Sequence, residues 1–422
     1  MQRHRILIGI LLAGLVLRLI FALSASVEYA ELGGGDIRWY LANGVALLSG
    51  QRTGISMGLP FDVSVLPTAP LYLIFVGVFL RLLSFETALV VIRFIQVGLS
   101  VATCYYAYDI VQRLAHDKRA GWLAAAILAF APAFVLEPSN VVTESSYIFY
   151  IIGGIWAFVR AEDDAAMNWR WLLLSSVLLA LATLTRAVSL LFPVGLAGLL
   201  WLSQFRQNWK QGFLAAVMFL GVYASVASTW TIYNALVYDR FVIGSAQLMP
   251  SIWRGAVEND ITPQASDESL GEATYSEQTT EVIASAPIAY VKRRTRELLA
   301  SYLQPHGTIG LGAESLKAML QTWIQDDFSL TGLWRLVNGD GFFPKLLIYI
   351  WHFTGLILGL VGMWLTRTRW QISLALVGFI LYTTLLHLVI FALPRYIFPA
   401  MICYWMFAAI ALIRIWDWLH SP

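Results

Sequence analysis

Long apolar runs separated by short polar breaks dominate this chain. The runs fall at 6–24, 68–83, 87–112, 120–136, 142–160, 171–185, 187–204, 212–234, 343–366, 370–392 and 395–416. A helix rises about 1.5 Å per residue, so roughly 20 apolar residues cross the hydrocarbon core of a bilayer. The pattern predicts an all-α polytopic membrane protein. The charges in the breaks decide which runs cross, because Lys and Arg gather on the cytoplasmic side. Arg3, His4 and Arg5 place the N-terminus inside, and Arg113, His116, Lys118 and Arg119 form the most basic short loop. That loop falls inside only if 68–83 does not cross. With 68–83 laid on the outer surface as a juxtamembrane or re-entrant helix, the later loops agree. Arg160 with Arg170, Arg206 with Lys210, Arg367 with Arg369, and Arg414 all then fall inside. The expectation is therefore ten transmembrane helices with both termini inside, plus juxtamembrane helices in the first outer loop, 25–86.

Three regions follow. Residues 1–234 form a transmembrane module carrying that loop, 235–342 form an extracytoplasmic segment, and 343–422 return to the membrane. Glu258–Glu281 holds seven acids and no base, which suggests a loop, whereas Pro287–Tyr302 predicts a helix with a basic face. That face either lies on anionic lipid or is simply solvated. There is no internal repeat and no low-complexity tract.

Composition agrees with the membrane reading. Of 422 residues, 59% are hydrophobic and only 13% charged, where soluble domains carry about 25%. The net charge of +2 gives no basis for nucleic-acid binding. Cys104 and Cys403 both lie in apolar runs and are expected as buried thiols, not a disulfide. Met1–Ala22 has the charge and apolar core of a signal peptide, but Arg18 interrupts a long run, so an uncleaved signal-anchor helix is expected. No Asn-X-Ser/Thr sequon occurs, which favours a bacterial plasma (inner) membrane over a secretory one.

Ionisable residues near membrane depth are costly and mark candidate chemistry. Asp36 follows Gly33, Gly34 and Gly35 near the outer interface. It either caps the helix starting at Ile37 or serves as a base. Glu137 and Glu144 bracket the short second outer loop, and Glu144 falls on the same side as Asp36. It is either a helix N-terminal acid or a partner of Asp36 in handling a hydroxyl. Arg93, Arg186 and Arg395 are candidate phosphate binders through their forked donors, with snorkelling as the plain alternative. Arg18 and His387 are expected to be packed or snorkelled, and His306 is a lone candidate base. No phosphate-binding glycine loop, HExxH or Cys/His cluster appears, which gives no basis for nucleotide hydrolysis or a structural zinc.

The order of these parts resembles the GT-C superfamily of polytopic glycosyltransferases, including protein O-mannosyltransferases and lipid A aminoarabinose transferases. The matching stretches are GGGDIRWYLANGVALLSGQ, LPTAPLY, the basic inner loop, EPSNVVTESSYIF, LTRAVSLLFP and PRYIFP. They cover about 1–210 well and 343–416 loosely. The resemblance implies an inverting transfer of a sugar from a polyprenyl-phosphate donor to an acceptor hydroxyl (on a glycan, lipid or protein) outside the membrane. It also implies that Asp36 is the catalytic acid of the first loop and Glu144 the second. Arg395 and Tyr396 match a late Arg–Tyr pair at the donor phosphate, where Arg186 and Arg93 are further candidates. No metal is required by this chemistry, though a divalent ion is compatible with it. The aminoarabinose enzymes carry an acid and a lysine before a Pro-Pro pair. Here that place reads SVLPTAP with Asp62 the nearest acid, so a different acceptor is expected. A lipid-linked oligosaccharide polymerase or ligase, and a lipid flippase or transporter without chemistry, stay open as alternatives.

Overall fold

The computed structural model describes residues 2–25, 35–50, 68–162, 167–245, 248–256, 272–308, 315–339 and 341–421. Glu28, Gly33, Gly34, Asp62 and most of the acidic stretch 258–281 lie outside the described residues. Among those described, every regular element is helical. In chain order the helices are α1 (Gln2–Ser24), α2 (Gly35–Leu48), α3 (Leu71–Leu82), α4 (Phe85–Ala115), α5 (Lys118–Phe130), α6 (Pro132–Leu136), α7 (Glu144–Glu162), α8 (Trp169–Thr185) and α9 (Phe192–Tyr238). There follow α10 (Leu248–Ala256), α11 (Glu272–Ser285), α12 (Pro287–Leu303), α13 (Leu316–Asp326), α14 (Leu330–Val337), α15 (Phe342–Leu365), α16 (Trp370–Val389) and α17 (Pro394–Leu419).

Among the described residues, seven helices are long and apolar enough to cross a membrane, or eight if the bent pair Lys118–Phe130 and Pro132–Ser139 is one span. That is fewer than the ten expected from the runs. The two that fall short are α7, which begins on an acid and two serines and is buried along most of its length, and α8, which has 17 residues. Helix α9 holds two of the expected runs, joined at Asn208 by non-helical backbone.

The two ends of the bundle differ in charge. At one end Arg119 bridges Asp417 at 2.9 Å, and Arg369 donates to the Arg113 carbonyl at 2.6 Å. These contacts gather the basic loops and the end of α17 on one face, the arrangement expected of an inner surface. The starts of α2, α7 and α17 lie together at the other end, where their acids and arginines meet.

Residues 68–83 hold a helix too short to cross a bilayer on its own. Helix α3 has 12 residues, about 18 Å long at 1.5 Å per residue, against roughly 30 Å of hydrocarbon. It packs on α2 instead. The crossing is so close that a Cβ on Gly77 would strike the Gly44 carbonyl, and one on Gly44 would sit 2.8 Å from the Leu73 oxygen. Small residues allow such backbone approach between apolar helices. Their packing buries Ile37, Leu41, Tyr72 and Val76 with Leu89 and Ile92 of α4.

Arg18 is packed rather than snorkelled, and its neighbours say why. Pro132 has no N–H, so the carbonyl four residues earlier, Leu128, loses its helical partner. The chain bends 61° there, between α5 and α6. Arg18, fully buried, donates to Leu128 O at 3.0 Å, Ala129 O at 2.8 Å and Ser100 Oγ at 2.8 Å. A broken helix inside a membrane survives only when its freed carbonyls find donors. Cys104 and Cys403 are buried free thiols.

Candidate active site

The site is assembled from helix ends. Asp36 lies in the first turn of α2 and Glu144 in the first turn of α7, where the helix dipole favours a carboxylate. Arg186 is the C-cap of α8, and its extended backbone (φ −146°, ψ 113°) ends that helix. Arg395 follows Pro394 at the start of α17, where a proline costs no hydrogen bond. Glu144, 1% exposed, accepts from Arg186 Nη1 at 3.1 Å and from Arg395 Nε at 2.8 Å, both at Oε1. The Nη1 of Arg395 takes the Asp36 carboxylate. Two acids and two arginines thus form one connected, charge-balanced cluster. A buried acid such as Glu144 is tolerable only with this kind of pairing.

Aromatic rings wall the cluster. The Arg186 guanidinium lies 5.0 Å from the Tyr396 ring centroid and 5.6 Å from that of Tyr147. Tyr396 in turn stacks on His387 at 5.4 Å. A cleft lined by Tyr147, Arg186, Tyr382, Thr383, His387 and Tyr396 opens beside the arginine. Burial disfavours the Arg186 charge, but Glu144, with Tyr40 and Tyr396 behind it, opposes that, and the pKa ends raised. Tyr40, one helical turn after Asp36, packs edge-on against Tyr72 at 5.2 Å. Burial first, then the Glu144 charge, pushes its phenol up to about 12, so it remains a hydroxyl donor at neutral pH.

Five of the six residues picked from the sequence therefore come together: Asp36, Glu144, Arg186, Arg395 and Tyr396. The sixth, Arg93, does not join them. It donates to Ser139 O at 3.0 Å and to Ala25 O at 2.9 Å. Beside it Gln96 donates to Pro138 O at 3.0 Å and Asn140 O at 2.7 Å, and accepts from Tyr72 at 2.7 Å. Arg93 and Gln96 thus clamp the turn that leads into Glu144. Sequence reasoning missed Tyr40, Tyr72 and Gln96. Tyr40 could have been found from its four-residue spacing to Asp36. Gln96 had no signal beyond being an amide in an apolar run. Among the described residues, no group of three His, Cys, Asp or Glu could hold a metal ion.

Residues 67–233 match the family model for dolichyl-phosphate-mannose-protein mannosyltransferases. No curated protein matches the sequence. Among solved structures, the archaeal oligosaccharyltransferase AglB from Archaeoglobus fulgidus is similar. Its complex with an inhibitory peptide and a dolichol-phosphate aligns with TM-score 0.55 and 15% identity, covering 99% of this chain and 51% of that one. The same enzyme with zinc and sulfate aligns with TM-score 0.54 and 16% identity, covering 98% and 49%. The present chain thus spans about half the length of these structures. At such identity the likeness is one of fold, and it extends over nearly the whole of this chain, whereas the family match covers 67–233 and includes neither Asp36 nor Arg395. The chain is a multi-pass membrane protein with the GT-C fold, as the order of its sequence motifs implied.

Proposed function

We propose that this protein is an inverting glycosyltransferase that moves a sugar from a polyprenyl-phosphate donor to an acceptor hydroxyl. The observation that carries this reading is the Asp36–Arg395–Glu144–Arg186 cluster at one end of a GT-C fold. The family match supports the phosphate-linked donor, and the acceptor's carrier (protein, glycan or lipid) stays general. The basic loops gathered on the opposite face support a site on the extracytoplasmic side of the plasma membrane.

The chemistry follows from the groups present. The acceptor oxygen attacks the anomeric carbon as the bond from that carbon to the phosphate oxygen breaks. The acceptor proton passes to the Asp36 carboxylate. The lipid phosphate leaves with one more negative charge than it carried as a diester. Arg395 and Arg186 are placed to stabilise that charge. The arginines are held by carboxylates in the free protein. An arriving phosphate competes for Arg395, and the Asp36 oxygen released from it becomes available to the acceptor. Glu144 keeps the two guanidiniums at their spacing, and Tyr396 and Tyr147 exclude water from them.

The test is Asp36→Asn. The variant should insert and fold normally, while transfer from a radiolabelled polyprenyl-phosphate mannose falls roughly 10²-fold or more, the range of lost general-base catalysis. Near-normal transfer would remove Asp36 from this role.

A further inference from the structure

Glu137 opens the short turn that follows α6, just before the stretch that leads to Glu144. It is 2% exposed, and Nε2 of His306 donates to its Oε2 at 2.7 Å. His306 comes from the segment between α12 and α13, far away in sequence. Its ring lies against Phe398 of α17, with centroids 4.6 Å apart. The neighbouring Gly307 has φ +89°, and a Cβ there would sit 3.4 Å from Ala133. The Pro305–Gly307 turn is therefore seated on α6 and α17, with the imidazole reaching down to a buried acid. The other carboxylate oxygen, Oε1, is buried and has no hydrogen-bond partner among the described residues. A buried acid left half paired is costly and needs an account. Glu137 also lies within electrostatic reach of both Glu144 and Arg395.

We propose that Glu137 and His306 form a positioning couple for the acceptor side of the site. His306 fixes the carboxylate and fastens the 287–308 region over it. Glu137 then presents its unpaired oxygen as the acceptor for a hydroxyl of the incoming substrate, beside the Asp36–Glu144 cluster. The couple selects a hydroxyl-bearing acceptor and has no part in holding the donor phosphate. It also gives the extracytoplasmic segment a place in the reaction: the segment delivers one half of the couple. This inference rests on the glycosyl-transfer reading.

The experiment compares Glu137→Gln, His306→Gln and the double variant in the full chain. Deuterium uptake is followed over 287–308. Transfer is followed with radiolabelled decaprenyl-phosphate mannose as donor, and with a threonine peptide and octyl mannoside as acceptor probes. The expected result is faster uptake over 287–308 in all three variants and unchanged uptake over α17. Acceptor KM should rise about tenfold or more, the scale of a misplaced reacting group, with donor KM unchanged. The double variant should be no worse than Glu137→Gln alone, since the two residues act as one unit. Unchanged uptake would overturn the fastening. Faster uptake with unaltered kinetics, or with equal losses toward donor and acceptor, would reduce the couple to a structural contact. If the native protein transfers to neither probe, the glycosyl-transfer reading itself fails, and uptake alone then decides the fastening.

Discussion

Arg395 Nε lies 2.8 Å from Glu144 Oε1 while its Nη1 takes Asp36, so one guanidinium joins the acids at the starts of α2 and α7. The three residues come from the starts of three helices. Nothing local to any of them requires the others. The contact exists because the fold brings those helix ends to one face, and it makes Arg395 the pivot between resting charge balance and phosphate capture.

Arg395→Lys should therefore be more damaging than its charge suggests. Lysine keeps the positive charge but loses the planar fork that reaches two carboxylates, or two phosphate oxygens, at once. We expect a folded protein with transfer reduced roughly tenfold to a hundredfold and donor KM raised, the loss of a few kcal/mol of charge-assisted hydrogen bonding. Steady-state kinetics with varied donor decides it. Unchanged donor KM would separate Arg395 from the phosphate.

Arg18→Leu tests the repair of the broken helix. The substitution removes the donors that hold Leu128 O and Ala129 O. Leaving buried carbonyls unpaired costs about 1–3 kcal/mol each. Thermal unfolding in detergent should show a clear fall in Tm with the transfer reaction still measurable at low temperature. Arg18→Lys should recover only part, because one ammonium cannot reach Leu128 O, Ala129 O and Ser100 Oγ together. A Tm equal to that of the native protein would mean that water repairs the bend as well as Arg18 does.

Much of this fold was legible because membrane helices announce themselves by length and composition, and loop charge orders them. The surface placement of 68–83 came from counting bases in the Arg113–Arg119 loop, and the helix there, α3, has only 12 residues. The span count was less legible. Helix α7 is buried inside the bundle, so its sequence carries polar residues at Glu144, Ser145 and Ser146 that a lipid-facing helix would not tolerate. At the site, Asp36, Glu144, Arg186, Arg395 and Tyr396 stood out as charges or motif residues near an interface. Arg93 looked the same but donates to the Ser139 and Ala25 carbonyls, since sequence cannot say whether an arginine meets a ligand or a backbone carbonyl. His306 and Glu137 were each visible alone. Their pairing across 169 positions depends on how the stretch after α12 docks on α6 and α17, and no local pattern encodes that.

Gly77→Ala probes the close packing of α2 on α3. The added methyl would meet the Gly44 backbone carbonyl, which cannot rotate away as a side chain could. Overpacking of this kind costs about 1–3 kcal/mol and pushes the helices apart. Asp36 rides on α2, so the variant should lose transfer activity out of proportion to its Tm. The control is Gly98→Ala on α4, where nothing lies within 4 Å of the new methyl and both properties should hold.

Labelling from one side tests which face of the bundle is outside. Cys104 and Cys403 are buried, so they remain silent toward a polar maleimide. A cysteine replacing exposed Ser84, in the turn between α3 and α4, should react in intact cells with a membrane-impermeant reagent. A cysteine replacing exposed Lys118, at the start of α5, should react only after the membrane is opened. Helix α4 separates these two positions and is itself 31 residues long, enough to cross. The opposite labelling pattern would turn the whole bundle over and put the acid–arginine cluster on the cytoplasmic face. A lipid-phosphate sugar would then have to be used where it is made, with no need to cross the membrane first. Labelling at both positions would mean that α4 does not span.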